Sequence, residues 1–567
     1  MSAELLVRST WTTGSTAAIK TGTWRAALPQ HVRAPSPCHA ACPVHGDIAE
    51  WIGQARDGDF AAAWSTLSRH NPLPAVIGRI CHHPCEGACN RAGHDEPLSI
   101  CKLERCVGDI ALERGWSYAA ATLQQPERVA VVGGGPSGLS AAFQLRRRGY
   151  AVTLFEAQPE LGGVMRYGIP GYRLAREVLD AEIERILALG VEVRCGQALT
   201  APQALEDLHS AFDAIYLAIG ARRQKRLPQL DYSQPWVVDG AEFLAQTSLG
   251  ARPALGRHVV VIGGGSAALD VARSARRAGH EVTILALEAE PEMPAQRDEV
   301  VEAREEGITL VDAAMLRVVS ELDRSAGGGL RLHCVRVQLG RAAPRGPVTV
   351  TALPGSDFVF EADAIVTSIG QDPDLAPLGA RFATDGPLLQ TDAFGATSVD
   401  GVWAGGDLTS GARFVSEAIA MGEHAALSID RRLRLRAGPA EPAGQHSPAA
   451  APVAGDTEAL VPLAAINLHY HPVAARPTAR RLAVPERLAA GGEVQLGLAI
   501  EQALAEAVRC FSCGTCTHCD NCVTYCPDFA VQRHGDGYRV LTDYCKGCGL
   551  CVKECPSGSM TMQEELR

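Results

Sequence analysis

No run of about 18 apolar residues occurs in the chain, which excludes an ordinary membrane-spanning helix. No basic block occurs either. The formal net charge is -11, so nothing points to nucleic acid. The first thirty residues are rich in Ser, Thr, Gly and Ala but lack an apolar core and a cleavage site, so no signal peptide is read and a cytoplasmic protein is expected. Residues 1 to 36 read as an irregular arm. Gly14-Ser15-Thr16 and Lys20-Thr21-Gly22 within it have the wrong spacing for a phosphate loop.

At 567 residues the chain is too long for one core, and roughly three to five domains are expected. Its 19 cysteines are the strongest compositional signal. All but Cys195 and Cys334 fall in two groups, one near each end. In a chain without a signal peptide such groups are more often metal ligands than disulfides. Cys195 and Cys334 lie in strand-like stretches and are expected as small core residues.

The rest of the chain is organised around Val129 to Glu156: a buried strand, a glycine turn, an amphipathic helix and a second strand ending in an acid. Gly133 permits the tight turn, Gly135 lets the backbone approach a pyrophosphate, and Gly138 lets helix and strand pack closely. Pro136 and Ser137 open the helix, and Glu156 is placed to accept hydrogen bonds from ribose hydroxyls. A second fingerprint begins at His258, with Gly263, Gly265 and Ala268 in the small positions and Ser266 and Ala267 between them. One such unit inserted in another is the layout of a two-dinucleotide flavoprotein, FAD in the first and a nicotinamide in the second. The strand after the second helix ends at Ala286-Leu287-Glu288. An acid there accepts from a free 2′-hydroxyl and repels a phosphate, so NADH is expected over NADPH. The buried return strand from Ala362 leads to Gly370, assigned to the nicotinamide site. A helix expected from Phe414 to Ile429 would aim its N-terminus at the flavin's pyrimidine side.

The first cysteine group is Cys38-x-x-x-Cys42-Pro43, Cys81-x-x-x-Cys85-x-x-x-Cys89, Cys101 and Cys106. Between them, Asp47 to Leu67 carries apolar residues at helical spacing. Thiolate-rich sites select iron-sulfur or zinc, and three-residue gaps with a Cys-Pro step suit a cubane better than a zinc finger. In the second group, Cys516, Cys519, Cys522 and Cys526-Pro527 repeat as Cys545, Cys548, Cys551 and Cys555-Pro556. This is the bacterial two-cluster ferredoxin run, in which the fourth cysteine of each run ligates the other cluster. Cys516, Cys519, Cys522 and Cys555 are therefore expected around one cluster and Cys545, Cys548, Cys551 and Cys526 around the other.

The stretch Asn71-Pro-Leu-Pro-Ala-Val-Ile-Gly-Arg-Ile-Cys-His-His-Pro-Cys-Glu-Gly-Ala-Cys-Asn-Arg91 resembles the N-terminal iron-sulfur domain of the glutamate synthase small subunit family of flavoproteins. The likeness extends over residues about 37 to 435. It implies a 4Fe-4S cluster on Cys42, Cys81 and Cys85, completed by Cys101, Glu104 or Cys106, and a second on Cys38 and Cys89. The further Cys-x-x-Cys that relatives carry ahead of Cys38 is missing. Cys510 and Cys513 stand in a context similar to that missing pair, and either join Cys38 and Cys89 or are two free thiols. Leu161 to Leu174 resembles the family's flavin-side loop. The resemblance implies FAD contacts at Gly163, Ile169, Arg173, Gly220, Gly406 and Val415, with Asp407 on the ribityl chain. NADPH-using relatives tend to carry Tyr-Arg-Arg where Ala286-Leu287-Glu288 stands. The redox cysteine pair of disulfide reductases is absent from both dinucleotide units. Tyr544-Cys-Lys-Gly-Cys-Gly-Leu-Cys551 is similar to the ferredoxin (delta) subunit of 2-oxoacid:ferredoxin oxidoreductases.

The expected fold class is α/β: two nested Rossmann-like domains for FAD and NAD, preceded by a helical iron-sulfur domain and followed by a bacterial 2x[4Fe-4S] ferredoxin domain. The boundaries read 1-36 for the arm, 37-120 for the helical domain, 121-240 and 371-436 for the FAD domain and 241-370 for the NAD(P) domain. A linker and connecting segment (437-505) and the ferredoxin domain (506-567) follow. The expected activity is that of a flavin-dependent NAD(P)H oxidoreductase passing single electrons through 4Fe-4S clusters to a redox partner protein, as part of a hetero-oligomer. No amidotransferase, thiamine or sirohaem motif occurs, and no catalytic side chain is named. Candidate partners are 2-oxoacid:ferredoxin oxidoreductase-type catalytic subunits first, a free ferredoxin second and a glutamate synthase large subunit third, with a sulfur-metabolism reductase as a further option. A non-catalytic electron conduit or scaffold is the alternative of another class.

Overall fold

The computed structural model describes residues 20–322, 329–341, 348–411, 413–437, 459–489 and 492–565. Gly14-Ser15-Thr16 and most of the Ala437 to Asp456 linker lie outside these. The arm holds a strand, β1 (Ala27–His31), and so is not irregular throughout.

The N-terminal domain is a bundle of short helices: α1 (Pro37–Ala41), α2 (Ile48–Arg56), α3 (Phe60–Leu67), α4 (Pro74–Ile80), α5 (Pro84–Gly87) and α6 (Ile100–Glu113). The stretch from Asp47 to Leu67 is two helices. Gly58 takes a φ of 82°, which ends α2, and Asp59 starts α3 by accepting from Ala62 N at 2.9 Å. Helices α4 and α6 touch backbone to backbone, because Gly78 faces Arg105 and Gly108 faces Ala75 with no room for a Cβ.

The first dinucleotide domain runs β2 (Arg128–Val132), α7 (Pro136–Arg147), β3 (Ala151–Phe155), α8 (Val164–Tyr167), α9 (Arg176–Leu187), β4 (Glu192–Arg194), α10 (Pro202–Ala211) and β5 (Ala214–Leu217). A short strand, β6 (Arg223–Gln224), leads out. The second domain follows as β7 (Val237–Asp239), α11 (Gly240–Ser248), β8 (His258–Ile262), α12 (Ser266–Arg277), β9 (Glu281–Leu285), α13 (Arg297–Glu305), β10 (Thr309–Val311), the antiparallel strands β11 (Ala314–Glu321), β12 (Leu330–Arg341) and β13 (Val348–Ala362), and β14 (Ala364–Thr367). The chain returns through β15 (Gln371–Asp372), a small hairpin of β16 (Thr384–Asp385) and β17 (Leu388–Leu389), β18 (Val402–Ala404) and α14 (Val415–Ala437).

The two main sheets are parallel, in the orders β18-β5-β2-β3-β4 and β10-β9-β8-β14-β7. Helices cover them, so β2 (RVAVV) and β8 (HVVVI) are apolar almost throughout. Because β7 pairs with β14 in the second sheet, that domain begins at Val237, ahead of residue 241. An antiparallel ribbon of β6 and β15 joins the domains. Cys334 is buried in β12 as expected, but Cys195 is exposed in the turn after the edge strand β4, where no layer covers it.

Helix α4 shares a core with the flavin-side domain. Leu73, Val76, Ile77 and Ile80 pack with Leu139, Phe143, Ile183 and Ile419. Beyond α14 come β19 (Arg480–Arg481), α15 (Val484–Ala489), β20 (Gln495–Gly497) and α16 (Ile500–Val508), then the ferredoxin-like end with α17 (Asn521–Thr524), β21 (Val531–His534), β22 (Gly537–Val540), α18 (Leu550–Lys553) and β23 (Met560–Glu564). Strand β1 pairs antiparallel with β23, from Ala27↔Glu564 to His31↔Met560, so the arm closes the far end of the chain.

Residues 480–489 and 492–497 act as a strap. The Glu493 carboxylate accepts from Arg79 at 2.7 Å, Arg105 at 2.8 Å and Ala175 N at 3.0 Å. Val494 N donates to Tyr172 O at 2.8 Å, and Arg487 pairs with Glu305 of α13 at 2.6 Å. One short segment thereby holds the helical domain and both nucleotide domains. Replacing Glu493 with alanine leaves two mostly buried guanidinium groups with Asp109 as their one shared carboxylate among the described residues. We expect a loss on the order of 3 kcal/mol, read as a lowered thermal midpoint with bound FAD unchanged; an unaltered midpoint would contradict the strap.

Candidate functional site

Each parallel sheet presents a glycine turn at the carboxyl end of its central strand, β2 in one and β8 in the other. Gly133 has a φ of 111°, and a Cβ there would run into Ala218 O; one on Gly138 would run into Gly133 O. That contact is why strand, turn and helix stack so tightly. No side chain caps α7, whose Pro136-Ser137-Gly138 opening leaves its first N–H groups facing the space beside Gly135. The nearest atom to a Cβ on Gly135 is Gly163 Cα at 3.9 Å. Gly163, at φ 52°, brings the flavin-side loop onto the turn, and Gly162 N donates to Gly134 O at 2.8 Å. Glu156 is pinned over the same turn, accepting from Gly134 N at 2.7 Å and Gln158 N at 2.8 Å.

Ser137 Oγ meets Tyr216 Oη at 2.7 Å, and the phenol packs against Gly405, which ties α7 to the Gly405-Gly406-Asp407 turn. Gly406 has a φ of 69°. Burial raises the Asp407 carboxyl, opposed by the nearby Arg413 guanidinium. Val415 opens α14, and Ile169 O accepts from Arg176 at 2.7 Å. Gly220 lies at φ 71° in open space between β5 and β6. Arg173, expected at the flavin, has partners in the second domain. Its guanidinium is buried between Asp270 of α12 at 2.7 Å and Glu299 of α13 at 2.5 Å, so it clamps the two nucleotide domains.

The second turn repeats the first. Gly263 has a φ of 144° and packs against Ser368 O; Ala268 replaces the third glycine, its Cβ 3.2 Å from where a Gly263 side chain would begin. Gly265 has nothing nearer than Pro294 at 4.0 Å, α12 is uncapped, and Ala267 is exposed on its first turn. Glu288 Oε2 lies against Gly264 as Glu156 lies against Gly134. Gly370 sits on the β6–β15 crossover, its carbonyl accepting from Lys225 N at 3.2 Å.

Between the two turns stands a residue that spacing alone did not reveal. His82, next to Cys81, places Nε2 at 3.3 Å from Ser266 Oγ and its ring at 4.5 Å from Phe414. Gln296 of the second domain donates to Cys81 O at 3.3 Å. The cysteine loop thus touches the first residue of the nicotinamide-side helix and the entry of the flavin-side helix.

The thiols of Cys42, Cys81 and Cys85 face one another and Glu104, and burial raises all three, Cys42 to about 11 and Cys81 to about 12. Burial likewise pushes the Glu104 carboxyl up to about 8, against a hydrogen bond from Asn71 at 2.6 Å. Cys101 comes near this group, but its Sγ points at Gly78 O, 3.4 Å away. Cys106 faces Asp109 instead. Cys38, Cys89, Cys510 and Cys513 form a second group. At the C-terminal end, one cavity is lined by Cys516, Cys519, Cys522 and Cys555, and another by Cys526, Cys545, Cys548 and Cys551. Among the described residues no three His, Cys, Asp or Glu side chains converge on a single ion. Four sulfurs spread around a cavity fit a cubane, whose irons stand apart, better than one zinc.

Residues 127–422 match the pyridine nucleotide-disulphide oxidoreductase family, 32–116 match dihydropyrimidine dehydrogenase domain II with its 4Fe-4S cluster, and 538–561 match a 4Fe-4S binding domain. The chain is 37% identical over 430 residues to the NADP(+)-dependent formate dehydrogenase subunit beta of Moorella thermoacetica, covering 70% of this chain and 60% of that protein. It is 32% identical over 518 residues to the NADPH-Fe(3+) oxidoreductase subunit beta of Geobacter sulfurreducens, covering 84% of this chain and 75% of that one. With the glutamate synthase [NADPH] small chain of Mycobacterium tuberculosis it shares 32% over 427 residues, 70% of this chain and 85% of the relative.

The packing at Gly138 yields a direct check. Its replacement by valine forces a side chain into Gly133 O. A cost of about 1–3 kcal/mol weakens flavin binding by roughly five- to 150-fold. The purified variant should lack flavin absorbance, and full flavin occupancy would contradict the cradle.

Proposed function

The chain belongs to the pyridine nucleotide-disulphide oxidoreductase family, and from that premise we propose that it is an FAD-dependent NADH:acceptor oxidoreductase subunit that feeds single electrons to a partner protein. The observation that carries this reading is the pair of uncapped glycine turns bridged by the Cys81-His82 loop, in a chain that also holds four cysteine groups.

FAD and the nicotinamide, when bound, supply hydride exchange, and 4Fe-4S clusters supply one-electron transfer. The chain's own groups bind and orient. In the first cradle the N–H groups at Ser137 and Gly138 receive a pyrophosphate, Glu156 the adenosine ribose and Asp407 the ribityl chain. The N-terminus of α14 lends its positive end to the flavin's pyrimidine side. In the second cradle Ser266, Ala267 and Ala268 receive the nicotinamide dinucleotide, and Glu288 its ribose. The cluster ligands are Cys42, Cys81, Cys85 and Glu104 in the helical domain. At the C-terminal end they are Cys516, Cys519, Cys522 and Cys555 for one cluster and Cys526, Cys545, Cys548 and Cys551 for the other. Ser416 at the start of α14 stands near Cys81 and works against the burial that raises its thiol, which sets the helical-domain site against the flavin-side helix.

The partner best supported by Tyr544-Cys-Lys-Gly-Cys-Gly-Leu-Cys551 is a 2-oxoacid:ferredoxin oxidoreductase-type catalytic subunit. A formate dehydrogenase-type partner is the second reading, favoured by the identity to the Moorella subunit. The NADH preference rests on Glu288, although the curated relatives described above carry NADP or NADPH in their names. A carboxylate at the end of β9 accepts from the 2′-hydroxyl and repels a 2′-phosphate.

Anaerobic mixing with each nucleotide tests both statements. NADH should bleach the flavin at least about tenfold faster than NADPH, a difference of roughly 1.4 kcal/mol, and Glu288→Arg should narrow or reverse the ratio. Faster reduction by NADPH in the unaltered protein would sink the preference, and no bleaching by either nucleotide would sink the oxidoreductase reading.

A further inference from the structure

We propose that Cys38, Cys89, Cys510 and Cys513 together hold a 4Fe-4S cluster that joins the helical domain to the C-terminal end and stands between the other cluster sites. This deepens the function proposed above and rests on it for the direction in which electrons enter.

The folding of the chain brings these four residues together from opposite ends. Helix α16 buries Ala503 and Ala507 among Trp51, Ile52, Leu103 and Val107 of the helical domain. Ser99 N donates to Glu506 at 2.6 Å, and Arg91 donates to Arg509 O at 2.6 Å. Cys510 and Cys513 follow at once and face Cys38 and Cys89, so that their sulfurs act on one another electrostatically. Cys513 is buried, the other three are half-buried, and all four are free of disulfides.

Donors aim at the sulfurs, as a charged cluster requires. Asn90 Nδ2 donates to Cys513 Sγ at 3.4 Å, Ser36 Oγ lies 3.1 Å from Cys38 Sγ, and Ser512 N donates to Cys510 Sγ at 3.4 Å. The last contact has close parallels at the other sites. His518 N donates to Cys516 Sγ at 3.5 Å and His83 N to Cys81 Sγ at 3.2 Å. In each loop the donor stands two residues after the cysteine and has a positive φ: 51° at Ser512, 53° at His518 and 38° at His83. A non-glycine residue rarely takes that conformation without a reason. The 510–513 loop has therefore adopted the backbone of a ferredoxin cluster loop, not that of two idle thiols.

The proposed site is adjacent in sequence to its neighbours. Cys38 and Cys42, like Cys85 and Cys89, are four positions apart and serve different sites, which limits their Cα separation to about 14 Å. Cys513 and Cys516 are three positions apart, within about 11 Å. One electron accepted from the Cys42-Cys81-Cys85-Glu104 side leaves to the Cys516 side, so no other oxidant or reductant is consumed.

Four cubanes predict about sixteen iron atoms per chain in anaerobically purified full-length protein, whereas sites without this one predict about twelve. The Cys510→Ser, Cys513→Ser double variant should lose about four iron atoms and one cluster signal in the spectrum of the dithionite-reduced protein. Unchanged iron in that variant overturns the proposal. If the variant does not accumulate, the wild-type count decides: about sixteen supports the site, about twelve overturns it. Flavin content is read on the same samples, and its absence would overturn the proposed function while leaving the iron count per chain to judge this site.

Discussion

Arg91 is where the two ends of the chain meet. Its fully buried guanidinium donates to Asp95 at 2.6 Å and 2.8 Å, to Arg509 O at 2.6 Å and to Pro472 O at 2.7 Å, and it lies 4.9 Å from the Phe511 ring. Asp95 in turn accepts from Arg509 at 3.0 Å and from Ala474 N at 3.1 Å, and the Arg91 hydrogen bonds hold its carboxyl well below the usual carboxylate range. A buried charge in this position is tolerated because each of the three guanidinium nitrogens finds an acceptor. Removing one partner of such a network costs on the order of 3–5 kcal/mol. Around it the α16 contacts, the 510–513 loop and the 472–476 backbone take their places.

A second constraint acts on the nucleotide domains. The ribbon of β6 and β15 contains two residue pairs, little to hold a domain of this size. What fixes the second domain lies elsewhere: the strap at Glu493, the clamp of Arg173 on Asp270 and Glu299, and the cysteine loop reaching Ser266 through His82. The helical domain is thus part of the nucleotide site's frame. Both cradles obey one rule, a carboxylate held over the middle glycine of the turn, and differ in the third small residue, Gly138 against Ala268.

What could be read from residues alone follows from how local each feature is. The repeated cysteine spacing was legible because it lies within a short segment, and the two cavities are lined by the cysteine sets it led one to expect. The glycine turns were legible because they need particular backbone angles. Strand β1 was not: Ala-Leu-Pro-Gln-His carries a proline and no alternation, and it is a strand only because the edge strand β23 pairs with it. Which way Glu104 and Cys101 leave α6, the first toward Cys42 and Cys81 and the second toward Gly78 O, is recorded in no spacing. Arg173 looked like part of a flavin loop, yet its charge is claimed by acids nearly a hundred and more than a hundred residues downstream.

The pairing of β1 with β23 also bears on how the molecule is made. Translation delivers the helical domain first, but its outer layer, α16 and the strand facing the arm, emerges on the order of tens of seconds later. Until then Ala27–His31 has no strand to pair with and the α2–α6 surface lacks Ala503 and Ala507. The nascent chain therefore carries an open, sticky face through most of its synthesis, a demand for chaperone cover that an independently closing N-terminal domain would not make.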